Sequence, residues 1–256
     1  MESICIVIPC YNEATRMPAG EIISFLKENP LIKVCFVNDC SIDSTGSVLQ
    51  SIHDLFPERV LIENHSRNKG KAESVRRGVL SGLSCFQCKY IGYFDADLST
   101  PLEECFRLRD SLAAGKSLEF SFGSRLAIIG SKVERKLYRH LSGRVIATFI
   151  SNILGLKVYD TQCGAKLFSR DLAEKVFTDP FISTWLFDVE IFARIIHLFG
   201  REKAEDVMIE TPLMTWIDKG GSKIELSYVV KVFFDLYRIK KKYFPKQFKS
   251  SHYCIV

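Results

Sequence analysis

Two carboxylates one residue apart, Asp95 and Asp97, stand where the apolar run Tyr90 to Phe94 gives way to Ser99, Thr100 and Pro101. Hard oxygen donors in an Asp-x-Asp suit Mg2+ or Mn2+, ions that keep several waters and share their remaining positions with substrate phosphates. The alternative use of the same residues is to cap a helix that carries Pro101 in its first turn. Polar groups follow two other apolar runs as well: Ile4 to Ile8 leads into Pro9-Cys10-Tyr11-Asn12-Glu13, and Val34 to Val37 into Asn38-Asp39-Cys40-Ser41. A nucleotide could use this set, with Tyr11 stacking on a base, Asp39 accepting from a base N–H, and Lys69 or Lys71 meeting phosphate charge. No G-x-G-x-x-G follows the first run and no G-x-x-x-x-G-K-[ST] occurs anywhere, so neither the dinucleotide fingerprint nor a P-loop provides the grip.

Such residues need elements to hold them. Short apolar runs at Ile4–Ile8, Val34–Val37, Val60–Ile62, Tyr90–Phe94 and Glu119–Gly123 read as strands. Between them lie helical stretches at about Glu21–Lys27, up to Leu55, Lys69–Ser84 and Leu102–Ala114. This alternation predicts an α/β fold with a mostly parallel, Rossmann-like sheet flanked by helices, in which ligands bind outside the carboxyl ends of the strands. No internal repeat, low-complexity segment or linker interrupts the chain, which predicts one domain over 1–256.

Composition bounds the class. The 256 residues are 47% hydrophobic and 25% charged, an ordinary globular balance. Nine cysteines, an odd number scattered through strands and helices, point to reduced thiols in a cytoplasmic setting, and Cys85-x-x-Cys88 has no second pair at zinc spacing. The start of the chain carries no export signal, and the longest nearly apolar run, Val145 to Leu156, is far shorter than the ~20 residues that cross a bilayer. A soluble protein, or one peripheral at the inner face of a membrane, is the expectation. The net charge of +5 is modest, but Lys and Arg crowd into Lys132 to Arg144 and into Arg238, Lys240, Lys241 and Lys242, which suits anionic partners. These cations sit on amphipathic helices rather than along a basic groove lined with aromatics, so nucleic acid is not expected.

Helical periodicity adds a second carboxylate site. From Phe187 to Phe199, residues Phe187, Ile191, Phe192, Ile195 and Phe199 form an apolar arc that contains Asp188. An unpaired carboxylate is costly to bury, so Asp188 must meet a cation, donors or a substrate. Glu190 falls on the other side with Arg194 and His197, where a solvated i,i+4 pair with Arg194 is as good a reading as a functional one. Between Lys132 and Leu154, Val133, Leu137, Leu141 and Val145 recur at i+4 and predict one amphipathic helix with a basic face. In the segment Ile224–Phe244, Lys231, Asp235, Arg238 and Lys242 form a stripe, with Val229, Val230, Phe233, Phe234 and Tyr237 elsewhere. Both segments suit peripheral contact with a membrane surface.

The four segments Val7-Ile8-Pro9-Cys10-Tyr11-Asn12-Glu13, Val37-Asn38-Asp39-Cys40-Ser41-Ile42-Asp43-Ser44-Thr45, Asn68-Lys69-Gly70-Lys71 and Asp95-Ala96-Asp97, in that order, resemble family 2 glycosyltransferases of the GT-A fold. The resemblance implies that Pro9, Tyr11, Glu13 and Asp39 line the base and ribose pocket, that Lys71 and Asp95 also serve the donor, and that Asp97 binds a metal on the diphosphate. Cys40 stands where that family usually has glycine. Further on, Gly123-Ser124-Arg125, Asp160 to Phe168, Trp185 to Glu190, Trp216 and Gly221-Ser222-Lys223 resemble the polyprenyl (dolichyl)-phosphate glucosyltransferase branch. The resemblance then implies an inverting, metal-dependent transfer of a hexose, glucose from UDP-glucose, to a polyprenyl or dolichyl phosphate. Mannose from GDP-mannose, or a non-lipid glycan of the cell envelope as acceptor, are the alternatives. It further implies a nucleotide-sugar-binding half, 1–125, and an acceptor-side half, 126–256, with a C-terminal helical extension. Arg125 and Lys223 would assist the leaving diphosphate, Asp188 would serve as base or position the substrate, and Arg139, Gln162, Trp185, Glu190, Trp216 and Ser222 would line the acceptor side.

Overall fold

A computed structural model describes residues 2–134, 147–219 and 226–245. Seven strands form the main sheet: β1 (Ile4–Cys10), β2 (Ile32–Asn38), β3 (Val60–Asn64), β4 (Tyr90–Phe94), β5 (Phe120–Ser124), β7 (Ala165–Ser169) and β8 (Met208–Pro212), in the order β3-β2-β1-β4-β7-β5-β8. All neighbours are parallel except β7, which runs antiparallel to both β4 and β5. A small second sheet pairs β6 (Lys132–Glu134) with β9 (Thr215–Ile217). The helices are α1 (Ala19–Glu28), α2 (Thr45–Leu55), α3 (Lys71–Cys85), α4 (Glu104–Ala114), the described part of α5 (147–154), α6 (Arg170–Val176), α7 (Phe187–Phe199), α8 (Arg201–Val207) and α9 (Leu226–Tyr243).

The central strands are apolar on both faces because helices cover both. Along β1, Ile4, Ile6 and Ile8 join a core with Phe25 of α1, Leu49 of α2 and Leu108 of α4, while Cys5 and Val7 join one with Val79 of α3, Phe192 of α7 and Leu236 of α9. That is the two-residue alternation of a strand buried from either side. Helix α3 lies unusually close to the sheet: a Cβ at Gly78 would sit 2.3 Å from Val7 Cγ1. Glycine at this position brings α3 onto β1 and sets the height of Lys71 at its N-terminus.

Strand β1 is where the topology reverses. The chain passes from β1 outward to β2 and β3, then returns through α3 to β4 on the other side of β1. In open α/β sheets ligands bind at such a switch point, outside the carboxyl ends of the strands. The loops after β1, β2 and β4 therefore meet there, and they are the ones that carry Tyr11, Asp39, Asp95 and Asp97.

Several expectations change. Strand β1 continues through Pro9 and Cys10, with Pro9 in register with Val37. The helix expected from Lys132 does not start there: Lys132–Glu134 is a strand, with Val133 opposite Trp216 and Lys132 N donating to Met214 O at 2.7 Å. A pairing partner some eighty residues away overrides local i+4 periodicity, and the helical conformation is described only from 147. On α9, Asp235 is buried and accepts from Ser183 Oγ at 2.7 Å, so the polar stripe containing it is not uniformly solvated. Among the described residues no helix is long and apolar enough to cross a membrane.

Candidate active site

Four loops build the site. Asp95 and Asp97 do not cap α4, which begins at Glu104 without a side-chain cap. Instead Asp97 Oδ1 accepts from Ser99 N at 2.9 Å, closing a local turn in which Leu98 takes φ 48°. Its Oδ2 is held by Arg16 Nη2 at 3.0 Å, and Arg16 Nη1 reaches Glu13 Oε1 at 3.2 Å. Burial pushes the Glu13 carboxyl up, Arg16 draws it down, and the charges of Asp97 and Asp95 raise it further, with a net upward shift. Its Oε2 is buried without a hydrogen-bond partner among the described residues.

Asp95 turns toward α3, where Lys71 Nζ lies 2.5 Å from its Oδ1. Burial opposes the Lys71 ammonium, but Asp95, Asp188 and Asp97 outweigh it and hold its pKa above the ordinary lysine value. Gly164 makes room for Asp95, since a Cβ there would fall 2.0 Å from Oδ2. The segment before β7 is thus shaped around the carboxylate that follows β4.

The loops after β1 and β2 are stapled together. Asn12 N donates to Ser41 Oγ at 3.1 Å, Ile42 N to Asn12 Oδ1 at 2.9 Å, and Glu13 N to Thr45 Oγ1 at 2.8 Å. Cys40 adopts φ 60°, the left-handed conformation for which glycine is favoured, so the turn is kept at a cost of about 1–2 kcal/mol. Ser41 N donates to Asn38 Oδ1 at 3.1 Å within the same turn. Buried Asp39 has its carboxylate on the next loop: Lys69 N and Gly70 N donate to it at 2.8 Å each, and His65 Nδ1 lies 2.8 Å from Oδ1. It therefore fixes the path into α3. Tyr11 is about half exposed beside these turns.

Beneath the two aspartates lies a buried ion pair. Asp188 Oδ1 accepts from Lys166 Nζ at 2.6 Å and from Tyr93 Oη, and Lys166 also donates to Cys163 O at 2.6 Å. Tyr93 and Lys166 face each other across β4 and β7, and Lys166 is fully buried. The demand that Asp188 meet a cation, donors or a substrate is met by the Tyr93 hydroxyl and by a lysine whose own position, inside an apolar strand, makes the converse demand. Burial, and then the negative charge of Asp188, push the Tyr93 hydroxyl well up, so it remains a donor.

Arg125, at the end of β5, grips Asp160 in a fork, Nε to Oδ2 at 2.7 Å and Nη2 to Oδ1 at 2.8 Å, and lies 5.4 Å from the Trp216 ring centroid. Burial disfavours its charge, yet Asp160 keeps its pKa above the ordinary arginine value. Asp160 N and Tyr159 N donate to Glu210 of β8 at 2.8 Å each. In the adjoining segment Thr161 Oγ1 and Gln162 Nε2 are buried without hydrogen-bond partners among the described residues. Trp185 is half exposed on the loop before α7.

Glu190 is neither solvated nor open to a crevice. It is fully buried and accepts from Arg194 Nη2 at 2.9 Å, Tyr243 Oη at 2.8 Å and Ile182 N at 2.7 Å, tying α7 to α9 and to the segment before it. Arg139, Ser222 and Lys223 lie outside the described residues, as do Arg135, Arg144 and the stretch 246–249. Sequence alone assigns no role to Arg16 or Lys166. Lys166 carried a signal, a lone cation in an apolar strand, whereas nothing local marks Arg16.

The pattern of Glycosyl transferase family 2 matches residues 5–177, from the first strand to the end of α6. The chain belongs to this family. The family's relatives include a protein named dolichyl-phosphate beta-glucosyltransferase from Saccharomyces cerevisiae, 30% identical, with 98% of this chain and 78% of that one covered. Another of that name from Dictyostelium discoideum is 28% identical over 94% of this chain and 74% of its own. Among solved structures, mannosyl-3-phosphoglycerate synthase from Rubrobacter xylanophilus superposes with TM-score 0.70 at 14% identity, covering 98% of this chain and 76% of that one. Glucosyl-3-phosphoglycerate synthase from Mycobacterium tuberculosis, crystallised with Mn2+, UDP-glucose and phosphoglyceric acid, gives 0.67 at 16%, covering 94% and 79%. These two share the GT-A architecture with the family member described here.

The donor set around Asp97 fits a divalent cation. A cationic guanidinium already sits on its Oδ2, and Glu13 brings a second carboxylate to the same guanidinium. Among the described residues no three acidic, His or Cys side chains converge, so a cation here would take Asp97 as one ligand and leave the rest of its shell to other donors. That is how Mg2+ and Mn2+ are commonly held, with waters and substrate phosphates completing the shell.

Proposed function

We propose that this protein transfers glucose from UDP-glucose to dolichyl phosphate, inverting the anomeric carbon, in a single domain whose 1–125 half takes the donor and whose 126–256 half takes the acceptor. The observation that carries this reading is the match, over nearly the full chain, to relatives named for that reaction, joined to an Asp-x-Asp at the sheet's switch point. Tyr11, Glu13 and the turns after Pro9 and Asp39 hold the base and ribose. Asp95 and Lys71 orient the diphosphate side of the donor. Asp97 holds Mg2+ or Mn2+, which, when bound, neutralises charge on the departing diphosphate.

A phosphate monoester with a second pKa near ~6 is largely ionised at neutral pH and needs little help from a base. Asp188 then acts as a positioning residue: its Oδ1 is engaged by Lys166 and Tyr93, and the pair fixes β4 and β7 under Asp95 and Gly164. Arg125, held by Asp160 against Trp216, presents its guanidinium on the acceptor side, and Gln162 and Trp185 lie on flanking loops. Transfer to a sugar hydroxyl would instead require Asp188 to take a proton.

A lipid acceptor has to be met at its membrane. Phe233, Phe234 and Tyr237 of α9 are each about half exposed or more, Phe149 of α5 packs edge-on against Phe233 at 5.6 Å, and Lys240, Lys241 and Lys242 follow in the last turn. Aromatics beside cations favour peripheral contact with an anionic leaflet. The donor half is tested by calorimetry with UDP and GDP in Mn2+. UDP should bind more tightly; tighter GDP binding would reverse the choice to a mannosyl donor.

A further inference from the structure

We infer that Arg16 is a built-in counter-ion for Asp97, which a divalent cation must displace, so that Arg16 sets the metal affinity of the free protein. This rests on the reading that Asp97 takes the metal. One oxygen of Asp97 is committed to Ser99 N, which leaves Oδ2 as the oxygen facing the site, and Arg16 Nη2 holds it at 3.0 Å. The other arm of the guanidinium reaches Glu13 Oε1 at 3.2 Å, so one side chain bridges a carboxylate after β1 and a carboxylate after β4.

The backbone of Arg16 is anchored, and its side chain is held only by these two carboxylates among the described residues. Arg16 N and Met17 N both donate to Glu13 O, at 3.0 and 2.8 Å, in a turn that fixes the position of Cα. The side chain is 44% exposed, with no ion pair among the described residues beyond those to Glu13 and Asp97, so water can take up its guanidinium when it withdraws. A divalent ion on Oδ2 and a guanidinium on the same oxygen repel each other strongly at that distance. One of them has to withdraw. In the absence of metal the guanidinium also keeps Glu13 and Asp97 from facing each other as uncompensated like charges, which favours the observed arrangement of the two loops. An arriving nucleoside diphosphate changes the balance twice, by offering phosphate oxygens to the cation and a new anion to Arg16. Metal loading of the free protein is therefore weak, and nucleotide strengthens it.

The experiment measures Mn2+ binding without nucleotide, from the loss of the free-ion electron paramagnetic resonance signal, for the intact protein and for Arg16→Gln, Arg16→Lys and Asp97→Asn. Releasing an exposed ion pair predicts that Arg16→Gln binds Mn2+ roughly threefold to fivefold more tightly than the parent. Arg16→Lys, which keeps a cation in reach, should stay near the parent value, and thermal melts of all variants show whether the fold is intact. Unchanged or weaker Mn2+ binding by a folded Arg16→Gln overturns the proposal. Asp97→Asn should bind Mn2+ poorly. If it binds as tightly as the parent, the metal is not on Asp97, and both the metal assignment and the role of Arg16 fall together.

Discussion

Asp97→Asn is expected to remove metal-stimulated glucosyl transfer, lowering kcat by about 10²- to 10³-fold, the usual size of losing one preorganised stabiliser of developing charge. Asparagine keeps an acceptor for Ser99 N, so the turn through Leu98 survives, and it removes the negative oxygen that Arg16 now neutralises. The loss therefore reports charge rather than shape. Initial rates across a Mn2+ titration, with EDTA as the zero point, provide the comparison. Full activity of Asp97→Asn in EDTA would sink the assignment.

A second large effect should appear in stability. Lys166→Met leaves Asp188 buried on Tyr93 alone, and stripping one partner from a buried ion pair costs about 3–5 kcal/mol. A urea unfolding midpoint measures it directly. The double variant Lys166→Met/Asp188→Asn removes both charges and should regain most of that loss, because the penalty comes from the orphaned charge and not from the absent attraction. If the double variant remains as unstable as the single, Lys166 acts through packing. Activity separates the two roles of Asp188. As a positioning residue, its neutral form in the stable double variant should retain measurable transfer to a lipid phosphate, whereas a required base would leave none.

Much of this architecture was legible from periodicity. Helix α7 begins and ends at Phe187 and Phe199 as the apolar arc predicts, and strands β1 to β5 fall on the apolar runs, because burial from both faces writes itself into local composition, whereas β8, parallel to β5 but only half-buried, lies on none of them. The burial of Asp188, and its need for a cation, donors or a substrate, followed from the same arc. What could not be read locally depended on distant partners. Glu190 and Arg194 look like a solvated i,i+4 pair until Tyr243, some fifty residues on, and the carbonyls of Val176, Asp179 and Pro180 close over them. Val133 continues a helical pattern, yet Trp216 recruits it into a strand. Arg16 sits in a polar turn where an arginine needs no explanation, and its role depends on Asp97, which only the parallel pairing of β1 with β4 brings near. Cys40 kept a left-handed turn that glycine would hold at less cost, a substitution that the stapled loops around it accommodate.

The central claim, glucose from a uridine donor to a lipid phosphate, is tested most directly by incubating the protein with radiolabelled UDP-glucose or GDP-mannose and dolichyl phosphate in anionic vesicles, then measuring the label that partitions into organic solvent. The account predicts lipid-soluble label from UDP-glucose, little from GDP-mannose, dependence on a divalent cation, and a fall in rate at high salt as exposed charges on α9 are screened. Lipid-soluble label from GDP-mannose alone, or transfer from UDP-glucose only to a water-soluble glycan, would contradict it.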